Sequence, residues 1–284
     1  MKTISPVALV PIDSWSNGLS ESKEDLLAVE EPLQIKLQFG EGGSWQEKSL
    51  MVTMRTPGHD FDLASGFLFA ENIIQKQEDI MLMRYCHRVK EGEKGNVLIV
   101  KLSPSLKFNS SRLERNFFTH SSCGVCGKTA LSSVVCEEIP LAPNHLRIPA
   151  SLLKQLNQML MEEQTLFKYT GSIHASAVFQ VNGKLLWVRE DVGRHNALDK
   201  VIGAALQNGM TPLSESVLML SGRVSFELVQ KTVRAGIPIV AAVGAPSSLA
   251  VDLAKEKNIT LIGFLKNNRF NIYSGKERII LEST

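Results

Sequence analysis

Cysteine is scarce in this chain. Only Cys86, Cys123, Cys126 and Cys136 occur in 284 residues, far too few for a disulfide-built scaffold. An excess of one charge is also missing. Lys and Arg total 31 against 29 Asp and Glu, a formal net charge of +2. That balance excludes a general nucleic-acid or membrane-surface binder and leaves room only for a local basic pocket. No apolar run approaches the roughly 18 residues of a membrane span. The opening stretch, interrupted by Pro6 and Pro11, has no signal-peptide core, so a cytoplasmic protein is expected. Internal repeats and low-complexity tracts are absent. Neither G-x-G-x-x-G nor G-x4-G-K-[ST] occurs, so no standard dinucleotide or P-loop phosphate site is supported.

What is present has ordinary globular proportions, 44% hydrophobic and 21% charged, in one large or two modest domains. Residues 1–30 are polar and read as an irregular tail. Residues 32–39 then alternate apolar and polar with period two, as a half-buried strand does. Gly40, Gly42 and Gly43 mark a turn, and Leu50, Val52 and Met54 continue as its partner. Thr56-Pro57 is expected to start a helix, with Thr as the cap and Pro in the first turn; Leu63, Phe67, Leu68 and Ile74 would form its buried face. Strands follow near 81–88 and 96–102, and a helix near 126–137. Pro140, Pro143 and Pro149 punctuate a linker, and Leu152, Leu153, Leu156, Met159 and Leu160 share a helical face. Asn182-Gly183 joins two strands of a hairpin, 175–181 and 184–189. Helices near 195–208, 224–235 and 246–257 then alternate with apolar strands at 216–220, 237–243 and 259–265, and an edge strand near 269–273 closes the series. That order indicates an α/β fold with a parallel or mixed sheet covered on both faces. The expected division is a tail at 1–30, a smaller N-terminal α+β subdomain at 31–148 and an α/β domain at 149–284.

The sharpest chemical signal is Cys123-Gly124-Val125-Cys126-Gly127-Lys128. Two cysteines three apart at a helix start, with Lys128 nearby, favour a thiolate, the nucleophilic form of sulfur. The same pair is half of a zinc site, which Cys136, Cys86, His87 or His120 would have to complete. It is also the spacing of a thioredoxin-type disulfide. Cys86 and Cys136 read as buried small hydrophobes. Arg189-Glu190-Asp191-Val192-Gly193-Arg194-His195-Asn196 is dense in charge at a strand-to-helix turn, which suits ligand contact or, alternatively, capping by Asp191. His174 precedes the hairpin, which would bring it towards His195. Ser221-Gly222-Arg223, Gly244–Ser248 and Phe264–Arg269 all follow strands, where α/β sheets bind ligands. Lys266 and Arg269, with Asn267 and Asn268, have the chemistry to hold phosphates or a base.

The order hairpin, helix, strand, helix, strand, helix, strand over 175–265 resembles the cytidine-deaminase-like core. Zinc deaminases carry H-x-E and P-C-x-x-C at the starts of two successive helices. This chain has His195-Asn196-Ala197 and Ser221-Gly222-Arg223 there, so the zinc ligands and the proton carrier are missing and deamination is not expected. From about 32 to 275 the chain resembles the FdhD family of formate dehydrogenase accessory sulfurtransferases. The resemblance rests on Met51–Asp60 (MVTMRTPGHD), Cys123–Gly127 (CGVCG), Thr170–Ala175 (TGSIHA), Glu190–Lys200 (EDVGRHNALDK) and Ser221–Ala250. It implies an enzyme that takes persulfide sulfur from a cysteine desulfurase and passes it to the molybdenum or tungsten bis-pterin guanine dinucleotide of formate dehydrogenase. Cys123 matches the persulfide-bearing cysteine and Cys126 its partner. Phe264, Leu265, Lys266, Asn267, Asn268 and Arg269 match the nucleotide-cofactor stretch. Arg194, His195, Ser221 and Arg223 are the further contacts expected at the strand ends. No intrinsic metal, nucleic acid or membrane is expected, and an exposed N-terminal sheet would allow two copies to pair. The competing readings are a non-catalytic chaperone of the same cofactor and a small zinc-stabilised binding module.

Overall fold

The computed structural model describes residues 4–41, 44–106, 145–266 and 269–281. Strands β1 (Val7–Ser16) and β2 (Leu19–Ala28) come first. They form a two-stranded antiparallel hairpin of their own, where an irregular tail was expected. Asn17 and Gly18 turn it with φ of 51° and 83°, the left-handed geometry that suits a two-residue hairpin.

Strands β3 (Glu31–Glu41), β4 (Ser44–Arg55), β5 (Ile80–Tyr85) and β6 (Val97–Leu102) form a four-stranded sheet in the order β4-β3-β6-β5. β3 runs parallel to β6, and the outer pairs are antiparallel. The alternation seen in the sequence has a direct structural counterpart: Leu33, Ile35 and Leu37 are fully buried on one face. Helix α1 (Asp60–Ala70) lies between β4 and β5 in the chain. It begins later than the sequence suggested. Its N-cap is His59 in a left-handed conformation, while the Thr56 hydroxyl accepts the Val192 N–H at 3.1 Å instead of capping a helix.

The second half adds β7 (Ile148–Pro149), α2 (Ala150–Glu163), the short α3 (Thr165–Thr170), β8 (His174–Gln180), β9 (Leu185–Asp191), α4 (Arg194–Gln207), β10 (Ser216–Leu220), α5 (Phe226–Arg234), β11 (Ile239–Ala242), α6 (Ser248–Glu256), β12 (Thr260–Lys266), β13 (Arg269–Ser274) and β14 (Ile279–Ile280). Six of these strands form a mixed sheet in the order β13-β12-β11-β10-β8-β9. Its centre, β10-β11-β12, is parallel; β8 runs against β10, and β13 against β12. The α/β class therefore holds, with a mixed sheet. No described helix is long and apolar enough to cross a membrane.

The two sheets are joined through α1 and α4, which cross in backbone contact. A Cβ on Gly66 would lie 1.8 Å from the Asp199 carbonyl oxygen, and one on Gly203 would lie 1.8 Å from that of Asp62. Around this crossing one core cluster takes in Leu33, Ile35 and Leu37 of the first sheet, Leu198 and Val201 of α4, and Leu218 and Val240 of the second sheet. A second cluster fills the opposite face of the six-stranded sheet, under α2.

Candidate functional site

The segment between β9 and α4 is built around a buried carboxylate. Asp191 is fully buried, and its Oδ2 lies 2.7 Å from Lys200 Nζ and accepts the Thr56 N–H at 3.2 Å. Its Oδ1 accepts the Gly193 N–H at 2.8 Å and Asn196 Nδ2 at 3.0 Å. Lys200 also donates to the Thr56 carbonyl, and Asn196 to that of Met54. A carboxylate this deep requires such partners. Asp191, Asn196 and Lys200 therefore fasten the start of α4 to the end of β4. Arg189, from the same charged run, pairs with Asp62 at 2.8 Å. Of the run 189–196, Arg194 and His195 are left to face the strand ends.

Those ends are drawn together by backbone contacts. The Ser221 hydroxyl accepts the Ala175 N–H at 2.8 Å, and the Ala175 carbonyl accepts the Ser221 N–H. Gly244 N–H donates to the Gly222 carbonyl, and the Gly244 carbonyl accepts the Phe264 N–H, both at 3.1 Å. A Cβ on Gly244 would sit 2.8 Å from Arg223 N, so glycine permits the approach. The carboxyl ends of β10, β11 and β12 thus meet at one place, the usual ligand side of a parallel sheet.

His174 lies over this junction. Its Nδ1 would be 3.1 Å from a Cβ on Gly222. Burial depresses its pKa, and the electrostatic influence of Arg194, His195 and Arg223 pushes it the same way, while Asp191 opposes. The structure thus brings two guanidinium groups and a second imidazole to bear on one half-buried imidazole. The Arg194 Nε is buried without a hydrogen-bond partner among the described residues. His195 Nε2 lies 2.9 Å from Glu227 Oε2 and 3.1 Å from Ser225 Oγ. Glu227 was not singled out in the sequence. The acidic residue in the first turn of α5, placed where a helix start attracts negative charge, was the available signal.

The residues expected to hold a cofactor divide as follows. Arg194, His195, Ser221 and Arg223 converge at the junction. Ser221 spends its hydroxyl on the Ala175 amide, so its part there is to hold the backbone. Phe264 joins the junction through its amide, has φ of 53°, and is 44% exposed. Leu265 points away into the second core cluster. Lys266 and Arg269 are exposed and paired across the β12-β13 turn. Asn267, Asn268, Cys123 and Cys126 lie outside the described residues, as do Cys136, His120 and Lys128. Among the described residues no cluster of three or more His, Cys, Asp or Glu side chains has the arrangement to hold a metal ion.

The model of the FdhD/NarQ family matches residues 28–280. The chain belongs to that family. It is 47% identical over 271 residues to the sulfur carrier protein FdhD of Streptomyces coelicolor, covering 94% of this chain and 93% of that one. Identity to the protein of the same name from Mycolicibacterium paratuberculosis is 48% over 267 residues (92% and 94% of the two chains). The Picrophilus torridus protein of that name is 42% identical over 257 residues, with 90% and 92% covered. A crystal structure of a Desulfotalea psychrophila protein, provisionally described as a formate dehydrogenase accessory protein, superposes with a TM-score of 0.74. It is 25% identical and covers 97% of this chain and 100% of its own. Met51–Asp60 and Glu190–Lys200, two of the segments on which the resemblance rested, are tied together by the Asp191 network.

Proposed function

We propose that this member of the family is a cytoplasmic sulfur carrier. It takes sulfane sulfur from a cysteine desulfurase as a persulfide on Cys123 and delivers it to the molybdenum or tungsten bis-pterin guanine dinucleotide destined for formate dehydrogenase. The observation that carries the reading is the convergence of Arg194, His195 and Arg223 on His174 where three parallel strands end. A pyrophosphate-bearing acceptor supplies the negative charge that such a cluster attracts. The free Arg194 Nε offers a donor for it, and the start of α4 adds the positive end of a helix.

The loading step is a thiolate exchange. Cys123 sulfur attacks the terminal sulfur of the donor's persulfide; the new S–S bond forms on Cys123 as the donor's S–S bond breaks and its thiolate leaves. Sulfur oxidation states balance without a further reagent. Cys126, three residues on, receives or helps release the sulfur in the second half of the transfer. The test is intact mass after incubation with desulfurase and cysteine. Wild type gains one sulfur atom on the peptide containing Cys123, and Cys123→Ala gains none. Equal loading of Cys123→Ala would remove the assignment. Absence of loading in wild type, with guanine nucleotide binding retained, would leave a cofactor chaperone in place of a sulfurtransferase.

A further inference from the structure

Two groups at the start of α5 address one nitrogen of His195. Glu227 Oε2 lies 2.9 Å from its Nε2, and Ser225 Oγ lies 3.1 Å from the same atom. Ser225 is the N-cap of α5, yet its hydroxyl makes no cap bond; it is turned to the imidazole. Glu227 is buried and stands in the first turn of α5, where the helix dipole favours a carboxylate. One turn further along, Lys231 is committed to Asp199, with its Nζ 2.7 and 2.9 Å from the two carboxylate oxygens. Arg194 and Arg223 enter no ion pair among the described residues. The Glu227 carboxylate therefore meets an imidazole, while the guanidinium groups keep their hydrogens for an incoming anion.

A carboxylate only accepts hydrogen bonds, and a guanidinium only donates them. Nε2 of His195 therefore carries the ring hydrogen, because the bond made by one imidazole nitrogen sets the state of the other. Nδ1 of the neutral ring is then a bare acceptor, and it has no hydrogen-bond partner among the described residues. The other side chains converging here, Arg194 with its buried unpartnered Nε and Arg223, are donors. Nδ1 thus has the opposite polarity to its surroundings. An ionised diphosphate presents acceptors, so Nδ1 has nothing to take from it. The hydrogens of a guanine nucleotide belong to its nucleoside, on the ribose hydroxyls and the N–H groups of the base. We propose that Glu227 is a positioning residue for that nucleotide. It holds the His195 hydrogen on Nε2, so that Nδ1 accepts an O–H or N–H of the nucleoside while the arginines take the phosphates. The inference rests on the nucleotide site proposed above and adds to it the division of labour between imidazole and guanidinium groups.

Nitrogen-15 NMR of the histidine side chains of the full chain separates the two tautomers. The His195 signals, assigned by their loss in His195→Ala, should show hydrogen on Nε2 and none on Nδ1. In Glu227→Leu the tautomers should mix, whereas Glu227→Gln, which retains an acceptor oxygen, should keep the wild-type pattern. By calorimetry Glu227→Leu should weaken GDP binding roughly 2- to 12-fold, the worth of one neutral hydrogen bond. In a His195→Ala background the same substitution should cause no further loss, because Glu227 acts through that ring. A residue serving stability alone would weaken binding in either background. Titration with guanosine, followed by NMR, should show His195→Ala losing the same factor as with GDP, while Arg223→Ala weakens GDP alone. A wild-type ring with its hydrogen on Nδ1, additive losses in the double variant, or unchanged guanosine affinity in His195→Ala would each overturn the proposal and leave the nucleotide site standing. A wild type that binds no GDP would overturn both. Should Glu227→Leu fail to fold, the wild-type spectrum and the guanosine comparison decide the matter.

Discussion

At the scale of single residues, the strand-end cluster makes two measurable claims. Arg194 and Arg223 act on a site that also holds His174. A charge-assisted hydrogen bond is worth about 1.5–3 kcal/mol, so Arg194→Ala or Arg223→Ala should weaken GDP binding roughly 10- to 150-fold by calorimetry. Unchanged affinity in both would place the nucleotide elsewhere. His174 supplies the second claim. Burial, with the nearby cations, holds its imidazole below the ordinary value of 6.5. In the unfolded chain the same ring takes up its proton near 6.5, while the folded protein resists until lower pH. The unfolded state therefore binds more protons in the window just below 6.5, and stability falls as pH falls through it. His174→Gln should flatten that part of the profile. The difference in unfolding free energy between the two proteins should shift in the variant's favour as pH is lowered from about 7 to about 5. A constant difference across that range would show that the imidazole titrates alike in both states.

At the scale of elements, α1 and α4 cross in backbone contact. Asp199 and Asp62 carbonyls stand where the side chains of any larger residues at 66 and 203 would go. Gly66→Ala or Gly203→Ala must push the helices apart, and overpacking typically costs about 1–3 kcal/mol. Urea denaturation should show a loss of at least that size for each variant. Next to the crossing, Lys231 Nζ sits 2.7 Å from Asp199 Oδ1, both buried. Lys231→Met strands that carboxylate and should cost about 3–5 kcal/mol, with much of the loss recovered in Lys231→Met/Asp199→Leu, since a well-packed apolar pair avoids the desolvation penalty. Absence of recovery in the double variant would show that the loss does not come from the stranded carboxylate.

These elements also show what a sequence can and cannot display. The alternation at 32–39, the Asn182-Gly183 turn and the apolar runs at 216–220 and 259–265 report local geometry, and the strands they mark lie close to their expected bounds. The start of α1 was misplaced because Thr56 spends its hydroxyl on Val192, more than a hundred residues away. No local pattern encodes such a partner. The hairpin at 7–28 was missed for the opposite reason. Its Asn17-Gly18 carries the same turn signal as Asn182-Gly183, but charged Glu21–Asp25 masks any alternation in a strand exposed on both faces. At the site, Arg194, His195, Ser221 and Arg223 were legible as residues that follow strands. Asp191 looked alike in the sequence, yet it is a structural anion neutralised by Lys200. Burial separates the two cases, and burial is a property of the fold.

At the scale of the whole molecule, the sequence suggested a boundary near residue 148, but the principal core does not respect it. Leu33 and Val100 of the first sheet share one cluster with Leu198, Leu218 and Val240 of the second half. The Asp191 network ties Thr56 to Lys200 across the same interval. Exposing either sheet would open the core of the other and leave a buried carboxylate without its partners, so a half-unfolded state gains little chain entropy for the apolar area and ion pairing it forfeits. Residues 31–106 and 172–265 should therefore unfold together. Trp45 belongs to the four-stranded sheet and Trp187 to the six-stranded one, and the third tryptophan, Trp15, lies in the β1-β2 hairpin. With the other two tryptophans replaced by Phe in each variant, the fluorescence of Trp45 and of Trp187 should report the same urea midpoint and slope, the signature of one cooperative unit. Two separated midpoints would mean that the halves are independent and that the α1-α4 crossing is a docking contact between them. Trp15, probed alone, should respond at lower denaturant, because no residue of the β1-β2 hairpin belongs to the shared core among the described residues.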